Sequence, residues 1–97
     1  MKDIQILDVR LLPDYKATRA FCDVRIDDIT IRDFRIYQAN GKPSVRNPFS
    51  TYKDHEGHLT FREIISLPST AQAEVHALIL SEYFRRLKEK QNEQRSQ

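Results

Sequence analysis

Two imidazoles and a carboxylate fall within four consecutive residues, in the segment His55-Glu56-Gly57-His58. Such groups are common zinc ligands, and together they could reach one metal ion. The spacing differs from that of the helical His-Glu-x-x-His motif, and Gly57 indicates a turn. We therefore predict an exposed hairpin tip here. A small metal-dependent hydrolase built on His55 and His58 is the least favoured of three functional hypotheses.

The other residues that could do catalytic chemistry have no evident partners in the sequence. Cys22 is the single cysteine and falls in an alternating strand pattern, which favours a small core residue. His76 lies in a helical pattern without a partner for proton transfer, so we interpret it as structural. With only two glycines, the chain has no Gly-rich phosphate loop. We predict no catalytic residue, no metal and no cofactor, and hence a protein that is not an enzyme.

Basic residues are concentrated in two parts of the chain. Residues 29–62 contain six bases and three acids, residues 63–84 contain three acids and no base, and the C-terminal end is basic again. Arginine offers a bidentate fork to a phosphate or a guanine edge, and Asp33 is placed to orient Arg32 and Arg35 by ion pairing. Cross-strand ion pairs and interaction with the helix macrodipole are the structural alternatives. The candidate nucleic-acid-binding residues are Arg32, Arg35, Arg46, Arg62, Arg85, Arg86, Lys88 and Lys90.

The size of the chain limits its core. A chain of 97 residues forms one domain and buries roughly 60–65% of its unfolded surface, so dimerisation would supplement a thin core. We predict one domain over residues 1–97, ordered from about residue 3 to 88, with a basic, polar tail at 89–97 that frays. No run reaches the ~18 apolar residues of a membrane span, and Asp3 stands where a signal peptide would be basic. We expect a cytoplasmic protein that does not contact the membrane.

The element that organises the chain is a helix from about Ser69 to about Gln91. Pro68 and Ser69 are typical of a helix start, and Gln72 occupies the reciprocal capping-box position. One element thus carries both the main packing surface and a basic tip. Its apolar stripe runs at three- and four-residue steps through Ala73, Ala77, Leu80, Phe84 and Leu87, widened by Val75, Leu78, Ile79 and Tyr83.

Alternating apolar and polar residues predict a small antiparallel sheet of about five strands before the helix, and hence an α+β fold class. Tight reversals are indicated at Asp27-Asp28 and Asn40-Gly41. The apolar residues change parity between Ile31 and Phe34, which predicts a β-bulge near Arg32-Asp33. The predicted strands are Ile4–Leu12, Thr18–Asp27, Ile29–Tyr37, Lys42–Asn47 and Leu59–Leu67, with a polar loop at Ser50–His58. Leu7, Val9 and Leu11 are predicted to share one face of the first strand, and Leu59, Phe61 and either Ile64 or Ile65 to face inward from the last.

Five short segments occur in a specific order along the chain. They are Ile6-Leu7-Asp8-Val9-Arg10-Leu11, Ile31-Arg32-Asp33-Phe34-Arg35-Ile36, Gly41 to Pro48, Leu59-Thr60-Phe61-Arg62-Glu63 and Glu82-Tyr83-Phe84-Arg85-Arg86-Leu87. In this order and spacing they resemble the stage V sporulation protein G (SpoVG) family, also called the putative septation protein family. The resemblance spans nearly the whole chain, from about Ile4 to Leu87.

The resemblance implies a twisted antiparallel sheet with one long C-terminal helix, assembled as a homodimer. It also implies binding of DNA and RNA and a role in the control of septation and sporulation. Our leading hypothesis is a homodimeric, non-enzymatic regulator that binds nucleic acid through the basic helix ends and the strand around Arg32, Arg35 and Arg46. The second hypothesis is a protein-interaction module of the septation machinery, which docks a regulatory or septation protein without physiological nucleic-acid binding.

Overall fold

The computed structural model describes residues 3–13, 16–38 and 40–95 and has the predicted α+β architecture with one long C-terminal helix. The elements are β1 (Ile4–Leu11), β2 (Thr18–Ile26), β3 (Ile29–Tyr37), β4 (Ser44–Arg46), β5 (Phe49–Lys53), β6 (Leu59–Glu63) and α1 (Ser69–Arg95). The first four strands form an antiparallel sheet in chain order, and β5 and β6 form a separate two-stranded ribbon. In the part of the chain that the structure describes, no helix is long and apolar enough to cross a membrane.

The β2–β3 hairpin contains both irregularities that the sequence indicates. The chain reverses at Asp27-Asp28, where Asp27 has a φ of 52°. The strand register then shifts between the pairs Cys22↔Phe34 and Val24↔Ile31, so that two residues of β3 oppose one residue of β2. Asp33 is one of these two residues and has a φ of 69°. The predicted bulge is therefore confirmed, and it keeps the apolar residues on both of its sides on the same face of the sheet.

The core lies between α1 and one face of the four-stranded sheet. Phe34, Ile36 and Val24 are fully buried on the sheet side, and Val75 and Ile79 are fully buried on the helix side. Each of these large side chains contributes about 1.5–3 kcal/mol through removal from water. The cysteine belongs to the same cluster, as predicted, and burial raises the pKa of its thiol to about 12.

The helix begins at Ser69 as predicted, but its contacts differ from the prediction. The Gln72 N–H donates to the carbonyl oxygen of Pro68 at 2.8 Å, and the Gln72 side-chain oxygen accepts from Asn47, so its predicted capping-box role is wrong. The helix continues past Gln91 to Arg95, and the last two residues of the predicted tail lie outside the described residues. The buried stripe is Ala71, Val75, Ile79 and Tyr83, whereas the predicted stripe residues Leu78 and Phe84 are exposed.

Four predictions about the strands are wrong. Leu7 does not share a face with Val9 as predicted: Leu7 is exposed and Val9 is buried, because a register shift between Ile6 and Asp8 removes Leu7 from the alternation. The segment predicted as a loop at Ser50–His58 contains most of β5, which pairs with β6 to form a hairpin that we call the arm, residues 49–63. Leu59 and Phe61 are exposed on this arm instead of facing the main core, and the strand ends at Glu63 rather than Leu67.

Candidate nucleic-acid interface

The face of the main sheet opposite the helix carries charged and aromatic residues, and we call it the open face. Its side chains alternate with the core residues, so that Arg10 and Phe21 are cross-strand partners on it, as are Phe21 and Arg35. Arg35 in turn opposes Arg46 on β4. Successive strands therefore place cationic side chains next to an aromatic ring and next to each other, which is the composition of a surface that receives an anion.

A nearly buried carboxylate holds the arginines at one end of the open face. Asp23, whose side chain is 6% exposed, accepts two hydrogen bonds from Arg10 at 2.9 and 3.0 Å and one from Arg32 Nη1 at 3.2 Å. The bulge contributes a fourth, because the Asp33 N–H donates to Asp23 Oδ1 at 3.1 Å. These donors, Arg10 first among them, lower the pKa of Asp23 despite its burial. Asp23 therefore acts as a fixed anchor for two guanidiniums.

The prediction that Asp33 orients both flanking arginines is wrong. Its carboxylate contacts Arg10 at 3.1 Å, while Arg32 pairs with Asp23. The Arg32 side chain remains 72% exposed, so most of its five N–H donors stay available to a ligand. Arg10 and Asp23 were not among the predicted site residues. The alternation of the sequence places Arg10 on the face opposite the core. It does not show that Asp23, the diagonal neighbour of Arg10 on β2, would be its partner.

Three of the predicted arginines lie over aromatic rings. The Arg35 guanidinium carbon is 4.4 Å from the ring centroid of Phe49 and 5.2 Å from that of Phe21. Arg46 lies 5.1 Å from the Tyr37 centroid, and Arg62 lies 5.9 Å from the Tyr52 centroid on the arm. Each contact contributes about 0.5–1 kcal/mol at an exposed site.

The acids of the described residues do not neutralise these three guanidiniums. Among the described residues, none of them lies at ion-pairing distance from a carboxylate. The like charges of Arg35 and Arg46 face each other across neighbouring strands, an arrangement that costs free energy until an anion neutralises it. Arg35, Arg46 and Arg62 are therefore oriented by packing on rings while their charge remains available.

The basic tip of α1 is arranged differently. The Arg85 guanidinium pairs with Glu82 and Glu89, and Arg86 Nε donates to Glu82 at 3.0 Å. The hydrogen bond from Arg85, followed by that from Arg86, lowers the pKa of Glu82 to about 2. Two of the four predicted helix-tip cations are thus compensated within the helix, while Lys88 and Lys90 are exposed.

No family model and no curated protein matches this chain.

The eight predicted residues fall into two groups. Arg32, Arg35 and Arg46 lie on the open face, and Arg62 lies on the neighbouring arm. Arg85, Arg86, Lys88 and Lys90 are on the helix, which covers the other face of the main sheet. The open face, with its uncompensated arginines, is the stronger candidate for anion binding.

The segment His55-Glu56-Gly57-His58 forms the predicted tip of the arm. Asp54 Oδ1 accepts from the N–H groups of Glu56 and His58, both at 2.9 Å, and Gly57 takes a φ of 82° that suits glycine. Within residues 3–13, 16–38 and 40–95, no group of three or more His, Cys, Asp or Glu side chains is placed to hold a metal ion. The turn is therefore explained by the hydrogen bonds that its N–H groups donate to the Asp54 carboxylate.

A second polar cluster joins the arm to the helix. Asn47, which is buried between β4 and β5, donates through Nδ2 to Gln72 Oε1 at 2.8 Å and to Glu63 Oε2 at 3.3 Å. Its Oδ1 accepts from His76 Nε2 at 2.7 Å, and the same imidazole lies edge-on to Phe34. We call these four polar residues the Asn47 cluster; sequence reasoning missed it because the partners of Asn47 are 16 to 29 positions away from it in the chain.

We expect His76 to make stability decrease as the pH falls below the usual histidine pKa of about 6.5. Burial lowers the pKa of His76, with the Glu63 carboxylate opposing that shift in part. The unfolded chain therefore binds a proton near its usual pKa of about 6.5 before the folded chain does, so stability falls as the pH drops through this value. Urea titrations at pH 5, 6 and 7 should show a smaller decrease for His76→Gln. The exposed His55→Gln should retain the decrease of the parent protein.

Proposed function

We propose that this protein is a non-enzymatic, cytoplasmic regulator that binds DNA or RNA through its open face. The observation that carries the proposal is the set of Arg35, Arg46 and Arg62, each over an aromatic ring and each without a carboxylate partner among the described residues. A nucleic acid supplies what such a set lacks, since its phosphates neutralise the guanidiniums and its bases stack on rings.

The arm supports assembly as a homodimer. Leu59 and Phe61 are 64% and 60% exposed, and Tyr52 is also exposed on the same hairpin. A ribbon of two strands is marginally stable by itself, and a second copy of the chain would cover these side chains. A dimer would also bring two open faces and two basic helix tips into one particle, which doubles the charge presented to a nucleic acid.

The cellular process is proposed from the resemblance alone. The five segments that resemble the SpoVG family, in their order along the chain, favour a role in the control of septation or sporulation. The exposed apolar side chains of the arm support a second candidate, a protein-interaction module in which they dock a septation or regulatory protein. That candidate predicts a protein partner that stays bound after nuclease treatment and no retention of DNA or RNA.

The test is a salt titration of binding to short labelled DNA and RNA, with light scattering to measure the oligomeric state. We expect Arg35→Gln with Arg46→Gln to lower affinity by about tenfold or more at 0.15 M salt, and to reduce the salt slope by about 2. Lys42→Gln with Lys53→Gln removes the same charge from exposed positions that make no cation–π contact among the described residues. Equal losses for the two double variants, or binding that ignores salt, would contradict the proposal.

A further prediction separates the helix tip from the open face. Glu82→Gln releases Arg85 and Arg86 from their shared carboxylate, so if the helix tip contacts phosphate we expect about threefold tighter binding and a steeper salt dependence. Glu74→Gln makes the same change in net charge near the start of the helix and controls for long-range electrostatics. Identical behaviour of the two variants would show that the tip of α1 is not a contact surface.

A further inference from the structure

The open face and the base of the arm enclose a groove of about 610 Å³. Its apolar lining includes Phe21 and Phe49, together with Ile29 and Ile64, which are each 64% exposed. Large aliphatic side chains this exposed, beside charged residues, indicate a surface that a ligand covers. A groove of this volume can hold a planar ring system, and it is one part of a larger basic surface.

The groove also has a cationic rim. Arg10, Arg32 and Arg35 all line it, and Asp33 is the one carboxylate among its described lining residues. Asp23 fixes the positions of Arg10 and Arg32 from beneath, while the rings of Phe21 and Phe49 position Arg35. The rim therefore needs little reorganisation to receive an anion, and the apolar lining lies within the same cavity.

We propose that this groove binds one unstacked nucleobase of a single-stranded nucleic acid. The base would lie against the apolar lining, and its adjoining phosphate would accept hydrogen bonds from Arg32 and Arg35. This inference rests on the proposed function and deepens it by naming the form of nucleic acid. A duplex cannot fill the groove, since its bases are stacked and paired, whereas a single strand offers each base for stacking without a requirement for sequence.

In this binding mode the base, and not only the phosphate, contributes to affinity. We would measure fluorescence anisotropy with four labelled probes of equal length: a polythymidine strand, the corresponding RNA, a duplex and a strand with abasic sites. We expect the single strands to bind more tightly than the duplex, and the abasic strand to lose about 5- to 100-fold in affinity. The affinities for the RNA and DNA strands should differ less from each other than either differs from the affinity for the abasic strand.

Two variants test the groove directly. Ile64→Glu and Ile29→Glu place a carboxylate in the lining at exposed positions, one beside the arm and one at the β2–β3 turn, so neither removes a core residue. Leu78→Glu makes the same change on the exposed surface of α1 and controls for charge. Both groove variants should lose at least about fivefold more affinity for the single strand than the helix variant does.

The outcomes separate the two proposals. Equal affinity for the single strand, the duplex and the abasic strand would overturn the groove inference and leave nucleic-acid binding intact. Equal losses for the groove variants and Leu78→Glu would do the same. No binding of any probe at low salt would overturn the proposed function, and the groove inference with it.

Discussion

Replacing Asp23 with alanine is expected to lower the free energy of unfolding by about 3 kcal/mol. The carboxylate is nearly buried and accepts from Arg10, Arg32 and the backbone of Asp33. Hydrogen bonds to charged groups contribute about 1.5–3 kcal/mol, and the substitution also leaves the Asp33 N–H without its acceptor. In a domain of this size, the loss corresponds to a decrease in melting temperature of about 12 °C or more. Urea and thermal denaturation at one fixed protein concentration would measure it.

Asp8→Ala is the matched control for this experiment. Asp8 contacts the same Arg10 nitrogen at the same 2.9 Å distance, but its side chain is 50% exposed rather than 6%. Exposed ion pairs contribute about 0–1 kcal/mol because water solvates both partners when the pair is broken. A loss for Asp8→Ala as large as that for Asp23→Ala would show that burial and the bulge N–H do not set the energy of this cluster.

Asp23 is also expected to make the stability of the fold sensitive to acid, in a second pH range below that of His76. Because hydrogen bonding lowers the folded-state pKa of Asp23, the unfolded chain takes up this proton first as the pH falls. The stabilisation is therefore complete above the unfolded pKa of about 3.9 and is lost as the pH drops towards the folded value. Asp23→Asn should flatten the stability profile below about pH 4, and it should leave the His76-dependent change near pH 6.5 unaltered.

Local patterns in the sequence predicted the elements whose two faces differ in environment. The alternation of Ala20, Cys22 and Val24 with polar residues predicted β2 because one face of that strand packs on the helix. The change of parity between Ile31 and Phe34 predicted the bulge because both residues are buried on one face. Hydrophobic periodicity reflects burial, so it predicts a strand or a bulge wherever one face packs in a core.

Strand β5 of the arm was missed for the same physical reason. Residues Ser50 to Lys53 of β5 are all exposed, so the strand has no buried face to produce an alternating pattern. Its aromatic residues, Phe49 and Tyr52, were the remaining signal, because aromatic side chains are enriched in strands. The predicted helix stripe was partly wrong for a different reason. Apolar residues cover much of α1, and the narrow sheet buries Val75 and Ile79 while Phe84 stays exposed.

The candidate site was predicted in part, since arginine as a residue type is visible in the sequence but its partners are not. Arg35 and Arg85 are indistinguishable by type, yet one lies over aromatic rings and the other is held by two carboxylates. Strand register and helix spacing decide which of these occurs. The i,i+3 and i,i+4 acids around Arg85 could have been identified from the sequence, whereas the position of Phe49 over Arg35 required the path of the arm.

Removing the amide of Asn47 is expected to lower the free energy of unfolding by about 2–3 kcal/mol and to loosen the arm. Asn47→Ala eliminates three hydrogen bonds, to His76, Gln72 and Glu63, and leaves part-buried polar groups without partners. Because Asn47 joins the end of β4, the base of the arm and the helix, its loss should also speed tryptic cleavage after Lys53 or Arg62. Denaturation and limited proteolysis would measure the two effects.

Two further variants make this prediction specific. Gln72→Ala removes one of the three hydrogen bonds and should cost about 1 kcal/mol or less. Asn47→Asp preserves the volume but sets a carboxylate 2.7 Å from the imidazole, so the pKa of His76 should rise, as an NMR titration of that ring would show. If Asn47→Ala cost no more than Gln72→Ala, the cluster would not hold the arm. In that case the arm's position relative to the open face would depend on other contacts, which include the stacking of Arg35 on Phe49 and the packing of Ile65 and Leu67 against the core.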